Sequence, residues 1–142
     1  MWAIGYRGLN DYPFWNDEPS FNTTEKRCEL INGAMDFQAQ LVRNTSGRAS
    51  DKFVTYFYGE MLDLLKSGHL VIPSNTTRIF ADSMGNGSFD FGVHELLREG
   101  DGVYYHVQSE SPGLLSQLTE SVPPNVFFRE IAPFVSKGAI TH

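Results

Sequence analysis

The residues with chemistry to offer are few and far apart: Arg7 and Asp11, Glu60, Asp82, and His106 with Gln108. Arg7 and Asp11 stand in Tyr6-Arg7-Gly8-Leu9-Asn10-Asp11-Tyr12-Pro13-Phe14-Trp15, directly after the apolar run Met1 to Tyr6, which reads as a buried strand. A guanidinium binds carboxylate or phosphate through two parallel hydrogen bonds. Set beside a carboxylate and several aromatics, just past a strand, it makes the usual material of a sugar- or phosphate-binding loop. The plainer alternative is a hydrophobic loop in which Arg7 and Asp11 pair with each other.

Glu60 draws attention through its surroundings. The spacing predicts a helix from Ser50 or Asp51 to about Ser67, stopped by Gly68. At about 100° per residue, Lys52, Thr55, Gly59, Asp63 and Lys66 group on one side. Phe53, Phe57, Met61, Leu64 and Leu65 group on the other, and Glu60 falls among them, beside Phe53 and Leu64, with Tyr56 one turn earlier. A carboxyl that loses water there favours its protonated form, which is what a general acid needs. The alternative is a Glu at the margin of the stripe, reaching solvent or pairing with an arginine. Asp82 ends a short strand, Thr77 to Ala81, ahead of the loop Ser83-Met84-Gly85-Asn86-Gly87-Ser88, a common place for an active-site acid in α/β folds. It is equally the place for an Asp that caps a turn. His106 and Gln108 lie on one side near the end of a β-prone run that begins at Val103, where a histidine is more often a core residue than a catalyst.

These residues need elements to position them. Asn22-Thr23-Thr24-Glu25 has the form of a capping box, with Asn22 as cap, and opens a helix to about Arg43. Cys28, Ile31, Ala34/Met35, Gln38 and Leu41/Val42 share its apolar face. Val93 to Leu97 predicts a short helix, and Gly100-Asp101-Gly102 a turn into the next strand. A last helix runs from Val126 to about Lys137, with Pro133 kinking it and Gly138 as its stop. Strand, helix pair, strand, strand, helix is an α/β order. If the strands are parallel, Arg7/Asp11, Asp82 and His106/Gln108 meet at one edge of the sheet, the usual site of (β/α) barrels and open parallel sheets.

Composition narrows the partners. The chain has 142 residues, 41% hydrophobic and 13% aromatic, enough for the core of one domain. A net charge of -6 without a Lys/Arg cluster argues against nucleic acid and anionic membrane. No apolar run is long enough to span a bilayer. The single cysteine, Cys28, excludes an internal disulfide and a multi-cysteine zinc site; no metal or cofactor is expected. Four N-x-S/T sequons, at Asn22, Asn44, Asn75 and Asn86, point to a secreted, extracellular origin, with no signal peptide in this chain.

The motifs together resemble glycoside hydrolase family 115, the xylan α-1,2-glucuronidases. Trp2 to Asp11 is similar to that family's G-x-R-G-x-x-D stretch, and Tyr58-Gly59-Glu60-Met61 to the helix with its proposed catalytic Glu. Pro73 to Asp82 resembles its P-x-x-x-T-x-x-x-x-D strand, and Gly100 to His106 its G-x-G-x-Y-Y-H strand. Order and approximate spacing agree over about residues 2 to 108, and "GLNDYPFW" and "YYHVQ" look most like fungal members. The resemblance implies hydrolysis of (4-O-methyl)glucuronic acid side chains from glucuronoxylan, or from xylo-oligosaccharides bearing them, by an inverting mechanism. It implies an α/β fold, here a partial (β/α)8 (TIM-type) barrel fragment with parallel strands, residues 1-142 being an incomplete piece of the catalytic domain.

Carried over by position, the resemblance makes Glu60 the general acid and Asp11 and Asp82 the base or its support. Arg7 and His106 line the uronic acid site. Tyr12, Phe14 and Trp15 are then candidates to stack on sugar rings or to pack beneath the loop. One departure stands out: after Asp82 the bacterial pattern continues with a second Asp and an Asn, whereas this chain reads Ser83-Met84. Two readings of other classes compete. In one, the chain is a truncated, non-catalytic segment that at most binds carbohydrate weakly. In the other, the Gly85–Ser88 loop binds a phosphorylated ligand, although no G-x-x-x-x-G-K pattern backs it.

Overall fold

The structure is a computed structural model and describes residues 1–8, 12–81, 93–104, 124–138 and 140–141. In chain order the elements are β1 (Trp2–Ala3), a 3₁₀ turn (Phe14–Asn16), α1 (Thr24–Ser46), β2 (Phe53–Phe57), α2 (Glu60–Lys66), β3 (Thr76–Ala81), α3 (Val93–Leu96), β4 (Gly102–Tyr104), α4 (Pro124–Ser136) and β5 (Ile140–Thr141). The chain forms two compact units. The first holds Met1–Tyr56 and Glu60–Thr77, the second Phe57–Gly59 and Arg78–His142.

In the first unit β1 pairs in parallel with β2, Trp2 opposite Phe53 and Ala3 opposite Val54. The Ile4 N–H extends this ladder to the Val54 carbonyl. The strand at the start is shorter than the run Met1 to Tyr6 suggests, and Trp2 is exposed rather than buried; Ile4 is its core residue. Helix α1 is capped by Thr23, whose hydroxyl accepts the Lys26 N–H, and not by Asn22, which instead accepts from the Lys26 ammonium. It runs three residues past Arg43, where the Gly47 N–H closes it onto the Arg43 carbonyl. Cys28, Ile31, Met35 and Ala39 are its buried stripe, while Leu41 is exposed. Burial pushes the Cys28 thiol above its ordinary range, which suits a packing residue rather than a nucleophile.

The helix expected from Ser50 to Ser67 is two elements. Phe53 to Phe57 is the strand β2, and α2 begins only at Glu60. Phe53-Val54-Thr55-Tyr56-Phe57 is a β-branched and aromatic run, the composition strands favour. Phe53, Val54, Thr55 and Phe57 are all buried, and of the five residues Tyr56 alone is exposed. A parallel strand of that kind has no in-and-out alternation to betray it. Its phenylalanines, four apart, then continue into Met61 and Leu64 with a helical spacing that two successive elements produce by chance. Gly59, at φ 50°, makes the left-handed break between them. Asp51, one of the two expected starts of that helix, is instead buried just ahead of the strand. It accepts from the Ser46 hydroxyl, the Trp2 indole N–H at 3.3 Å and Arg48 at 3.2 Å.

In the second unit β3 pairs with β4 and β4 with β5, all parallel. Phe80 stacks on Phe57 with ring centroids 5.3 Å apart. The start of β3, the end of α3 and the start of β4 are tied by a buried ion pair. Arg78 donates to both Asp101 oxygens and to the Leu96 carbonyl, and Asp101 also accepts the Arg98 N–H. Asp101 is thus a core anchor where sequence suggested a turn residue. Helix α4 continues through Pro133, and β5 follows Gly138, a strand the sequence did not suggest. The fold is α/β, and every registered strand pair is parallel, compatible with a partial (β/α) barrel. Among the described residues no helix is long and apolar enough to cross a membrane.

Candidate functional site

Two of the residues singled out by their chemistry meet. Arg7 lies just beyond β1 and Glu60 opens α2. Arg7 Nε donates to Glu60 Oε1 over 2.7 Å, and Nη2 to Oε2 over 3.3 Å. This is the two-pronged guanidinium–carboxylate geometry. Both side chains are partly open, 26% exposed for Arg7 and 22% for Glu60. The expectation of a Glu60 desolvated in an apolar helix stripe is therefore overturned. Phe53, its expected neighbour on the helix, belongs to β2, and the carboxylate has an arginine instead. That pairing was the alternative reading of Glu60. The first turn of α2 also favours a negative charge, since its amide dipoles point their positive end there.

The segment carrying Arg7 is closed into a loop by its own backbone. The Phe14 N–H donates to the Arg7 carbonyl over 2.6 Å. Gly8 allows this: a Cβ there would stand 2.2 Å from the Tyr12 carbonyl oxygen and 2.8 Å from the Phe14 nitrogen. Beneath the loop Phe14 is buried and serves as a hub for Tyr6, Trp15 and Phe21, with ring centroids 5.0–5.3 Å away. The Arg27 guanidinium lies 4.7 Å from the Trp15 ring centroid. The three aromatics thus divide: Phe14 packs as core, Trp15 is half-buried with Arg27 against it, and Tyr12 is 62% exposed.

Asp11, Asp82 and His106 lie outside the described residues, as do Gln108 and the Gly85–Ser88 loop. Among the described residues no group of three or more His, Cys, Asp or Glu side chains is placed to hold a metal ion. One contributor escaped the sequence reading. Gln38, placed on the apolar face of α1 by its spacing, turns its amide to the backbone of Gly5, two residues before Arg7. The signal was a polar residue on an otherwise buried stripe.

Set against known protein families, residues 1–141 match the model for glycosyl hydrolase family 115. No curated protein and no solved structure matches the chain.

Proposed function

The chain belongs to glycosyl hydrolase family 115, and from that premise we propose that it forms part of the catalytic (β/α)8 barrel of a fungal-type xylan α-1,2-glucuronidase. The reaction is release of glucuronic or 4-O-methylglucuronic acid from glucuronoxylan, or from xylo-oligosaccharides that carry it. The observation that supports this reading best is the Arg7–Glu60 pair, which joins two of the family-like motifs across 53 positions of sequence.

In an inverting glycosidase one carboxylic acid protonates the leaving oxygen while an ionised carboxylate holds a water on the opposite face of the sugar. Glu60 takes the first role in this proposal, and Asp11 or Asp82 the second. The water oxygen bonds to the anomeric carbon, the base accepts its proton, and the glycosidic bond breaks to a xylan hydroxyl that takes the proton of Glu60. Arg7 binds the substrate's own carboxylate, the feature that sets a uronic acid apart from a neutral sugar. In doing so it exchanges Glu60 for the substrate. His106 lines the same pocket, and Tyr12 and Trp15 offer ring faces to the sugars. An extracellular, glycosylated enzyme agrees with the exposure of Asn22, Asn44 and Asn75.

The test is chromatography of the products when the enzyme carrying this segment is incubated with glucuronoxylan. Release of free uronic acid with inversion at the anomeric carbon, seen by NMR, is the expected result. Release of xylose or xylo-oligosaccharides alone would overturn the reading.

A further inference from the structure

The backbone leading to Arg7 is held by a side chain from α1. Gln38 Oε1 accepts the Gly5 N–H at 2.7 Å, and Gln38 Nε2 donates to the Gly5 carbonyl at 3.0 Å. A primary amide carries an acceptor and donors side by side, so Gln38 pairs with Gly5 much as a strand residue pairs with its neighbour. It does so one residue beyond Ile4, whose N–H makes the last bond of the β1–β2 ladder. Two residues further on, the Arg7 carbonyl is held by Phe14. The residues on either side of Tyr6 are thus tied, Gly5 to α1 and Arg7 to the 3₁₀ turn, and the guanidinium reaches Glu60 from that fixed base. Gln38 itself is half-buried, on the side of α1 that carries the buried Met35 and Ala39.

We propose that Gln38 is a positioning residue for Arg7, and that through Arg7 it sets how strongly the site prefers a sugar bearing a carboxylate. The proposal rests on the reading of Arg7 as the group that binds the uronate. A two-pronged guanidinium contact tolerates little displacement, and errors near 1 Å can cost about a hundredfold in rate. Freed from α1, the Gly5–Arg7 segment no longer presents the guanidinium at one place.

The experiment compares the intact enzyme with Gln38→Met and Gln38→Glu on two substrates, a glucuronic acid-bearing xylo-oligosaccharide and its uronate methyl ester. Met fills the same space without hydrogen bonds. Glu still accepts the Gly5 N–H but, ionised, cannot donate to the Gly5 carbonyl. The readout is the ratio of kcat/KM for acid over ester, measured well below the melting temperature of each variant. We expect Gln38→Met to lower this ratio about tenfold, mainly through KM for the acid, with Gln38→Glu in between. A ratio unchanged in Gln38→Met overturns the proposal even if the variant melts earlier, because a purely structural role lowers stability without changing the preference. A wild type that cleaves neither substrate overturns the glucuronidase reading, and this proposal with it. A wild type that cleaves both equally overturns only the role of Arg7 and what is built on it.

Discussion

Arg7 and Glu60, 53 residues apart, meet through two hydrogen bonds of 2.7 and 3.3 Å between a guanidinium edge and a carboxylate. The contact joins the segment after β1 to the first residue of α2. It leaves both groups partly open, so a ligand can reach them.

If this pair is the described part of the site, its two members fail differently. Glu60→Gln keeps the shape but removes the ionisable proton, and kcat on glucuronoxylan should fall by about 10²–10⁴-fold. Arg7→Lys keeps the charge but not the fork. Loss of one charged hydrogen bond is worth about 2 kcal/mol, so kcat/KM should fall about thirtyfold, chiefly in KM. Steady-state kinetics on one oligosaccharide separates them. Full turnover by Glu60→Gln would remove Glu60 as the acid.

The loop after Arg7 depends on Gly8. A methyl at that position would collide with the Tyr12 carbonyl oxygen and the Phe14 nitrogen, which are backbone atoms without a rotamer to yield. Gly8→Ala should cost about 1–3 kcal/mol by overpacking and depress activity as the loop shifts. A Cβ at Gly33, in α1, would meet nothing within 4 Å. There Ala should stabilise by about 0.5–1 kcal/mol through helix propensity. Urea denaturation of both variants checks the opposite signs.

The buried pair Arg78–Asp101 is a liability if halved. Asp101→Asn leaves the Arg78 charge in the core without its counter-charge and weakens the bond from the Arg98 N–H. Removing one partner of such a pair costs about 3–5 kcal/mol. Arg78→Met combined with Asp101→Leu should cost less than Asp101→Asn alone, because no charge is stranded. Equal losses in chemical denaturation would show that the hydrogen bonds to Leu96 and Arg98, rather than the charges, dominate.

Asp51 makes stability depend on acid. The Ser46 hydroxyl first, then the Trp2 indole and Arg48, hold its carboxyl below the ordinary value against the opposing effect of burial. A group whose affinity for protons is lower in the fold than in the unfolded chain stabilises the fold when ionised. Its contribution is complete above the unfolded value of about 3.9 and is lost as pH falls from there through the lower value of the fold. Between about pH 6 and pH 3 the melting temperature should therefore drop more steeply in the wild type than in Asp51→Asn. Parallel curves would assign the acid sensitivity to other carboxylates.

Much of the secondary structure was legible where one element fills a sequence segment with its own period. Helix α1 announced itself through Cys28, Ile31 and Met35, and β3 as the short strand Thr77 to Ala81. β2 did not, because a strand with four of its five residues buried carries no regular alternation, and Phe53, Phe57, Met61 and Leu64 add up to a false helix. The environment of Glu60 was misread for that reason alone. Gln38 was legible as an odd polar residue on a buried face but not as the partner of Gly5, which is 33 positions away.

Sequence by itself determined which residue types are at hand, in which order, and the family they mark, since motifs are local and covalent. It could place Arg7, Asp11, Glu60, Asp82 and His106 on strand ends and a helix, and no further. Tertiary structure decided who meets whom. The pairing of strands brings α2 beside the Arg7 segment, and packing delivers the Glu60 carboxylate to the guanidinium at 2.7 Å. Partner choice is set by distance in space, and a distance across 53 residues is a property of the fold.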